Sequence, residues 1–155
     1  MQVVMIELKS EEDKIWYKEV LEPMLRRRQI KSGSAIYTLH DIREQKVTNV
    51  LENLGVKKRM KGFNYIREVV LACLEDETIL HSKIPKVVYP IIAEKFEVSV
   101  KNMETNIRNT IKDTWENGNV EIWNKLFSYN YYKLDSLQFL IKIIEYIRLE
   151  EKQIK

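Results

Sequence analysis

One cysteine, three prolines, four glycines and two histidines stand among 155 residues, and each scarcity excludes something. A lone Cys73 excludes an internal disulfide framework. It lies inside Val69-Val70-Leu71-Ala72-Cys73-Leu74 and reads as a small buried hydrophobe, not a reactive thiol. Few Gly and Pro leave few flexible connectors, so a compact and mostly helical chain is favoured. His40 and His81 are far apart and form no HExxH or Cys/His spacing, so no metal or other cofactor is expected. A Gly-rich phosphate loop and a nucleophile elbow are also missing. Acid pairs such as Glu11-Glu12 and Glu150-Glu151 fall at expected helix ends, where exposure is the default. The chain is therefore not expected to be an enzyme. No apolar run approaches the ~20 residues that span a bilayer. The opening "MQVVMIELKS" lacks the length and basic start of a signal peptide. A cytoplasmic protein without membrane contact is expected.

What is present is an apolar fraction of 45%, which excludes a disordered chain, and a mild net charge of +3, which does not by itself imply nucleic acid. Val3–Leu8 is short and β-branched and reads as a strand. Ser10 before Glu11, Glu12 and Asp13 starts a helix that runs to about Arg28 and kinks near Pro23. Ala35–Leu39 reads as a second strand, with His40 at its end. Residues 1–40 thus read as a small β-α-β unit within an N-terminal extension of residues 1–45, and 46–155 are expected to form a second unit. Two strands and a helix bury little, so the extension is expected to pack on the rest of the chain or on a second copy, as a homodimer or regulatory unit.

From Asp41 the pattern is helical, with six helices expected over about 41–54, 63–76, 84–96, 100–117, 120–127 and 136–152. Gly55 ends the first, Gly118 ends the fourth in the left-handed position that favours glycine, and Gly62 sits in the connection before the second. Trp115, Trp123 and Phe127 fall at core spacing. Tyr129–Tyr132 ("YNYY") is a loop folded on the core or a partner surface.

The stretch "IIAEKFEVSVKNMETNIRNTI" has the rhythm of a helix-turn-helix. Ala93 is small where two helices would approach, and a short polar turn follows. Glu97 stands where many such motifs have Gly. In the second helix Met103, Ile107, Ile111 and Trp115 repeat every four residues. Lys101, Asn102, Thr105, Arg108, Asn109 and Lys112 share the opposite face, and none is acidic or large and apolar. Such a face suits a DNA major groove. Arg108 offers two parallel donors to guanine, Asn102 and Asn109 pair with adenine, and Lys101 and Lys112 neutralise phosphates. The loop "KKRMKG" adds Lys57, Lys58, Arg59 and Lys61 as a phosphate clamp beside that helix.

These residues reach a known family. Gly55-Val56, Lys61-Gly62, Tyr65, Arg67-Glu68, Lys86-Val87, Tyr89-Pro90, Ile92-Ala93, Ile107-Arg108, Trp115, Gly118-Asn119 and Leu126-Phe127 lie in an array over about 46–152. That array resembles the effector domain of the stage 0 sporulation protein A family, the master sporulation response regulators of spore-forming Firmicutes. The resemblance implies a six-helix DNA-binding domain that reads a short promoter box on double-stranded DNA and contacts RNA polymerase. It also implies that Glu104 and Arg108 face the DNA. Asn102 and Thr105 stand where the family carries arginine, so weaker binding or a changed box is expected. The family's receiver half has no counterpart in the residues before the match, so control by aspartyl phosphorylation is not expected. The chain is thus expected to be a nucleoid-associated transcription regulator. The alternative is an adaptor that binds RNA polymerase or the full-length regulator without reading DNA.

Overall fold

The computed structural model of the chain describes residues 15, 19, 38–127 and 135–154. The expected β-α-β extension (save its last residues), Pro23 and Tyr129–Tyr132 lie outside them. The described residues form six α-helices: α1 (Leu39–Leu54), α2 (Lys61–Glu75), α3 (Tyr89–Lys95), α4 (Val100–Asn117), α5 (Val120–Phe127) and α6 (Ser136–Ile154). A 3-10 turn (His81–Lys83) and a π-helical turn (Ile84–Val88) lead into α3.

Helix α1 starts two residues earlier than its periodicity suggests. Thr38 and Asp41 form a reciprocal capping box: Asp41 N–H donates to Thr38 Oγ1, and Thr38 N–H donates to Asp41 Oδ2, each at 3.1 Å. Leu39 and His40 are therefore helical, not the end of a strand. A β-branched, apolar run reads as a strand locally, but the cap overrides it. Gly55 ends α1 at φ +88°, with Gly55 N–H donating to the Glu52 carbonyl and Val56 N–H to that of Leu51.

Helix α2 is the centre of the molecule and packs against α1, α3, α4 and α6. Tyr65, Ile66, Val69, Val70, Leu71, Cys73 and Leu74 are buried, so it is apolar on most of its circumference. Burial pushes the Cys73 thiol up to about 11, which keeps it protonated and unreactive at neutral pH. Arg148 donates to the Cys73 carbonyl at 2.7 Å and so closes the C-terminal turn of α2 from α6. His40 binds Glu75 at the same end.

Pro90 explains the irregular entry into α3. Proline cannot donate to the carbonyl four residues back, and its ring crowds it. The preceding turn widens, and Tyr89 N–H donates to Ile84 five residues earlier. Ile84, Val88, Ile92 and Ala93 face inward as a result, while Val87 and Ile91 are exposed.

Two contacts without side chains set the helix spacing. A Cβ on Gly62 would lie 2.0 Å from Thr110 Oγ1 and 2.6 Å from the Asn106 carbonyl oxygen. Gly62 is thus inside the first turn of α2, not in the loop before it, and lets α2 lie directly on the backbone of α4. Gly55 and Gly118 abut in the same way, and Asn119 N–H donates to the Leu54 carbonyl at 2.9 Å. Gly118 has φ −86°, not the expected left-handed value. It is glycine because the Leu54 carbonyl would sit 2.5 Å from a side chain. Trp123 and Phe127 of α5 complete the core against Phe139 of α6, with ring centroids 4.6–5.8 Å apart.

Gly62→Ala is expected to lower stability by about 1–2 kcal/mol. Overpacking of ~1–3 kcal/mol, high in that range because a backbone oxygen cannot move aside, exceeds the ~1 kcal/mol that Ala gains over Gly in a helix. Urea unfolding would read this. Combining it with Thr110→Ala should not restore the loss, because the Asn106 carbonyl remains.

Candidate nucleic-acid interface

The turn between α3 and α4 fixes how α4 leaves the core. Val98 N–H donates to the Ala93 carbonyl at 3.0 Å, and Glu97 N–H donates to that of Glu94 at 3.1 Å. This paired closure repeats the end of α1, with Glu97 in the place of Gly55. Glu97 has φ +56° and is the only non-glycine residue with positive φ among those described. The backbone shape that the motif needs is present, but glutamate carries a left-handed strain of ~1–2 kcal/mol that glycine avoids. Ala93 is buried at the approach of the two helices. Ser99 then caps α4, accepting from Asn102 N–H at 3.0 Å.

Helix α4 divides as its periodicity requires. Met103, Ile107 and Ile111 are buried, whereas Trp115 is only half-buried, at 5.3 Å from the Trp123 ring. Thr110 and Thr114 are buried instead, which their polarity hides in the sequence. Each satisfies its hydroxyl four residues back: Thr110 Oγ1 donates to the Asn106 carbonyl at 2.8 Å and Thr114 Oγ1 to that of Thr110 at 2.7 Å. Thr110 stands where Gly62 of α2 approaches.

The front face is exposed throughout: Lys101, Asn102, Thr105, Arg108, Asn109 and Lys112. Glu104 is half-buried at its edge. Glu104 and Arg108 line a pocket of about 200 Å³ with Pro85, Tyr89 and the start of α6 at Asp135–Leu137. Burial, together with the nearby Glu104 and Asp135 carboxylates, pushes the Tyr89 hydroxyl up to about 12, so it stays a neutral donor. Arg108 therefore stands beside carboxylates at one margin of a face that otherwise has none.

The basic loop is brought beside α4, but two of its four cations are occupied. Lys57 Nζ donates to Asp113 Oδ1 at 3.1 Å, and Lys58 pairs with Glu52. Arg59 and Lys61 are exposed and hold no ion pair among the described residues. Asp113 is missed by sequence reasoning, since its partner is 56 positions away. The hydrogen bond from Asn117, and then that from Lys57, hold the Asp113 carboxyl below its ordinary 3.8. A lowered folded pKa means that its contribution to stability is complete above 3.8 and is lost as pH falls through the folded value.

No group of three or more His, Cys, Asp or Glu among the described residues is placed to hold a metal ion. None of the described helices is long and apolar enough to cross a membrane. Residues 47–147 match the family described as sporulation initiation factor Spo0A, C terminal. The match spans more than half of the chain, and the chain belongs to that family of DNA-binding effector domains.

Glu97→Gly is expected to raise stability by about 0.5–1 kcal/mol, the relief of left-handed strain being partly offset by glycine's entropy. Glu97→Val should lower it by about 1 kcal/mol, because a β-branched residue tolerates that region worst. Equal urea midpoints for all three proteins would show an unstrained turn.

Proposed function

We propose that this member of the family is a sequence-specific regulator of transcription whose α4 enters the major groove of double-stranded DNA. The observation that carries this reading is the front of α4. Six polar or basic residues, none of them a carboxylate, are exposed on a helix anchored by its opposite stripe and by a helix-turn-helix. In this role Arg108 addresses guanine, Glu104 accepts from a cytosine amino group, and Asn102, Thr105 and Asn109 meet base edges. Lys101, Lys112, Arg59 and Lys61 neutralise phosphates. Lys57 and Lys58 join them only by exchanging Asp113 and Glu52 for phosphate.

The proposal extends to the arrangement of the chain. Residues 46–155 are the effector unit, and residues 1–45 supply dimerisation or a regulatory contact in place of aspartyl phosphorylation. RNA polymerase is the protein partner, and the protein works at the nucleoid, in the cytoplasm. Sedimentation of the full chain as a monomer at micromolar concentration would remove the homodimer.

Selection of duplexes from a random pool, followed by titration across a salt series, tests the central claim. With ~4–6 phosphates neutralised, the log–log slope of affinity against salt is expected to be about −4 to −5. Arg108→Ala should lose about 10–100-fold on the selected box, equivalent to ~1–3 kcal/mol, and far less on unrelated DNA. An adaptor that touches only protein would select no box and show no slope.

Asp113→Asn tests the lysine exchange. It frees Lys57 and removes a negative charge beside the groove, so affinity should rise severalfold and the slope steepen by about one unit. An unchanged slope would show that Lys57 reaches no phosphate.

A further inference from the structure

Asn106 lies one turn beyond Asn102 on α4 and is half-buried. Its Nδ2 donates to the Asn102 backbone carbonyl at 2.9 Å and to Asn102 Oδ1 at 2.5 Å. These two bonds fix both amides. A backbone carbonyl can only accept, so the Asn106 atom facing it is nitrogen. The Asn102 atom facing that nitrogen must then be the oxygen. Asn102 is exposed, and with Oδ1 held back toward Asn106 its Nδ2, carrying two donors, is the group left outward. Next to it Thr105 Oγ1 donates to the Lys101 carbonyl at 2.9 Å, so the hydroxyl hydrogen is also turned inward. Two neighbouring side chains of the front face are set before any ligand arrives.

We infer that Asn106 is a positioning residue for base readout: it holds Asn102 with its amide nitrogen outward, and so turns Asn102 from a reader of adenine into a reader of guanine. The inference rests on α4 being the groove-facing helix. Bidentate pairing with adenine uses Oδ1 to accept from N6 and Nδ2 to donate to N7. An Oδ1 engaged with Asn106 is turned away from that task. Guanine shows two adjacent acceptors, N7 and O6, which match an outward amino group. The reading of Asn102 as an adenine partner, natural from its residue type, is reversed by a neighbour four residues on.

The test compares the full chain with Asn106→Ala, Asn102→Ala and the double variant by duplex selection, then by titration of every single-base change in the box. The wild-type box is expected to hold one position where guanine is preferred to adenine. In Asn106→Ala the guanine-to-adenine ratio at that position should fall about tenfold, with the other positions unchanged. Asn102→Ala should flatten that position, and Asn106→Ala should add nothing in its background. The thermal midpoint of Asn106→Ala should stay or rise, since Ala is the better helix former; a purely structural role would move the midpoint and not the base ratio. An Asn106→Ala box identical in base and ratio at every position overturns the inference while leaving α4 as the reader. So does the same shift in the Asn102→Ala background. A wild-type chain that selects no box removes the reading of α4 and this inference with it.

Discussion

The close approach of α2 to α4 at Gly62 is the constraint on which the rest depends. Where a side chain would stand there is the backbone of Asn106 and the hydroxyl of Thr110. Helix α4 can therefore sink against the central helix along Met103, Ile107 and Ile111, and present its other side whole. Thr110 belongs to the same solution. It borders the gap at Gly62, while Thr114 lies one turn on beside Gly118; both hydroxyls bond within α4, so burying them leaves no orphan donor. A larger apolar side chain at Thr110 would push the two helices apart.

Much of this was legible in the sequence, because helices with one buried stripe announce themselves by period. The limits of α4 and α5 follow from spacing and caps as read, and the six front-face residues are exposed as their pattern requires. The helix-turn-helix was legible despite Glu97, since apolar anchors on both sides of the turn determine it. Most of what stayed hidden is contact between residues far apart in the chain. The clasp of Asp113 on Lys57 and the seating of Gly62 on Asn106 depend on tertiary approach, which periodicity does not encode. Gly118 shows the limit from the other side. Its place after a helix suggests a left-handed terminator, yet its φ is −86° and a neighbour's carbonyl is what excludes a side chain. The capping box at Thr38 and Asp41, which makes a helix start of an apparent strand end, is a local feature masked by the β-branched, apolar run around it.

The front face of α4 gains a further meaning from bonds along its own length. Side chains chosen by type as hydrogen-bonding partners for bases are already bonded to the helix in part: Asn102 to Asn106, and Thr105 to Lys101. Such preset side chains pay less entropy on binding and tolerate fewer partners. The loop lysines are the opposite case. Lys57 and Lys58 each hold an acid of the protein, which must be released before they are available to phosphate.

The course of α1 has one more consequence. At its start it is held to the far ends of α2 and α6, through His40 with Glu75 and Arg43 with Glu151. At its finish Gly55 touches Gly118 at the end of α4. Helix α1 itself is sixteen residues long, about 24 Å at 1.5 Å per residue. Thus α1 is a strut pinned at both poles, by ion pairs at one and by a glycine contact with the end of α4 at the other. Between the poles Val47, Val50, Leu51 and Leu54 lie in the core, so a strain applied at Thr38 is shared with the core that α2 organises before it reaches α4.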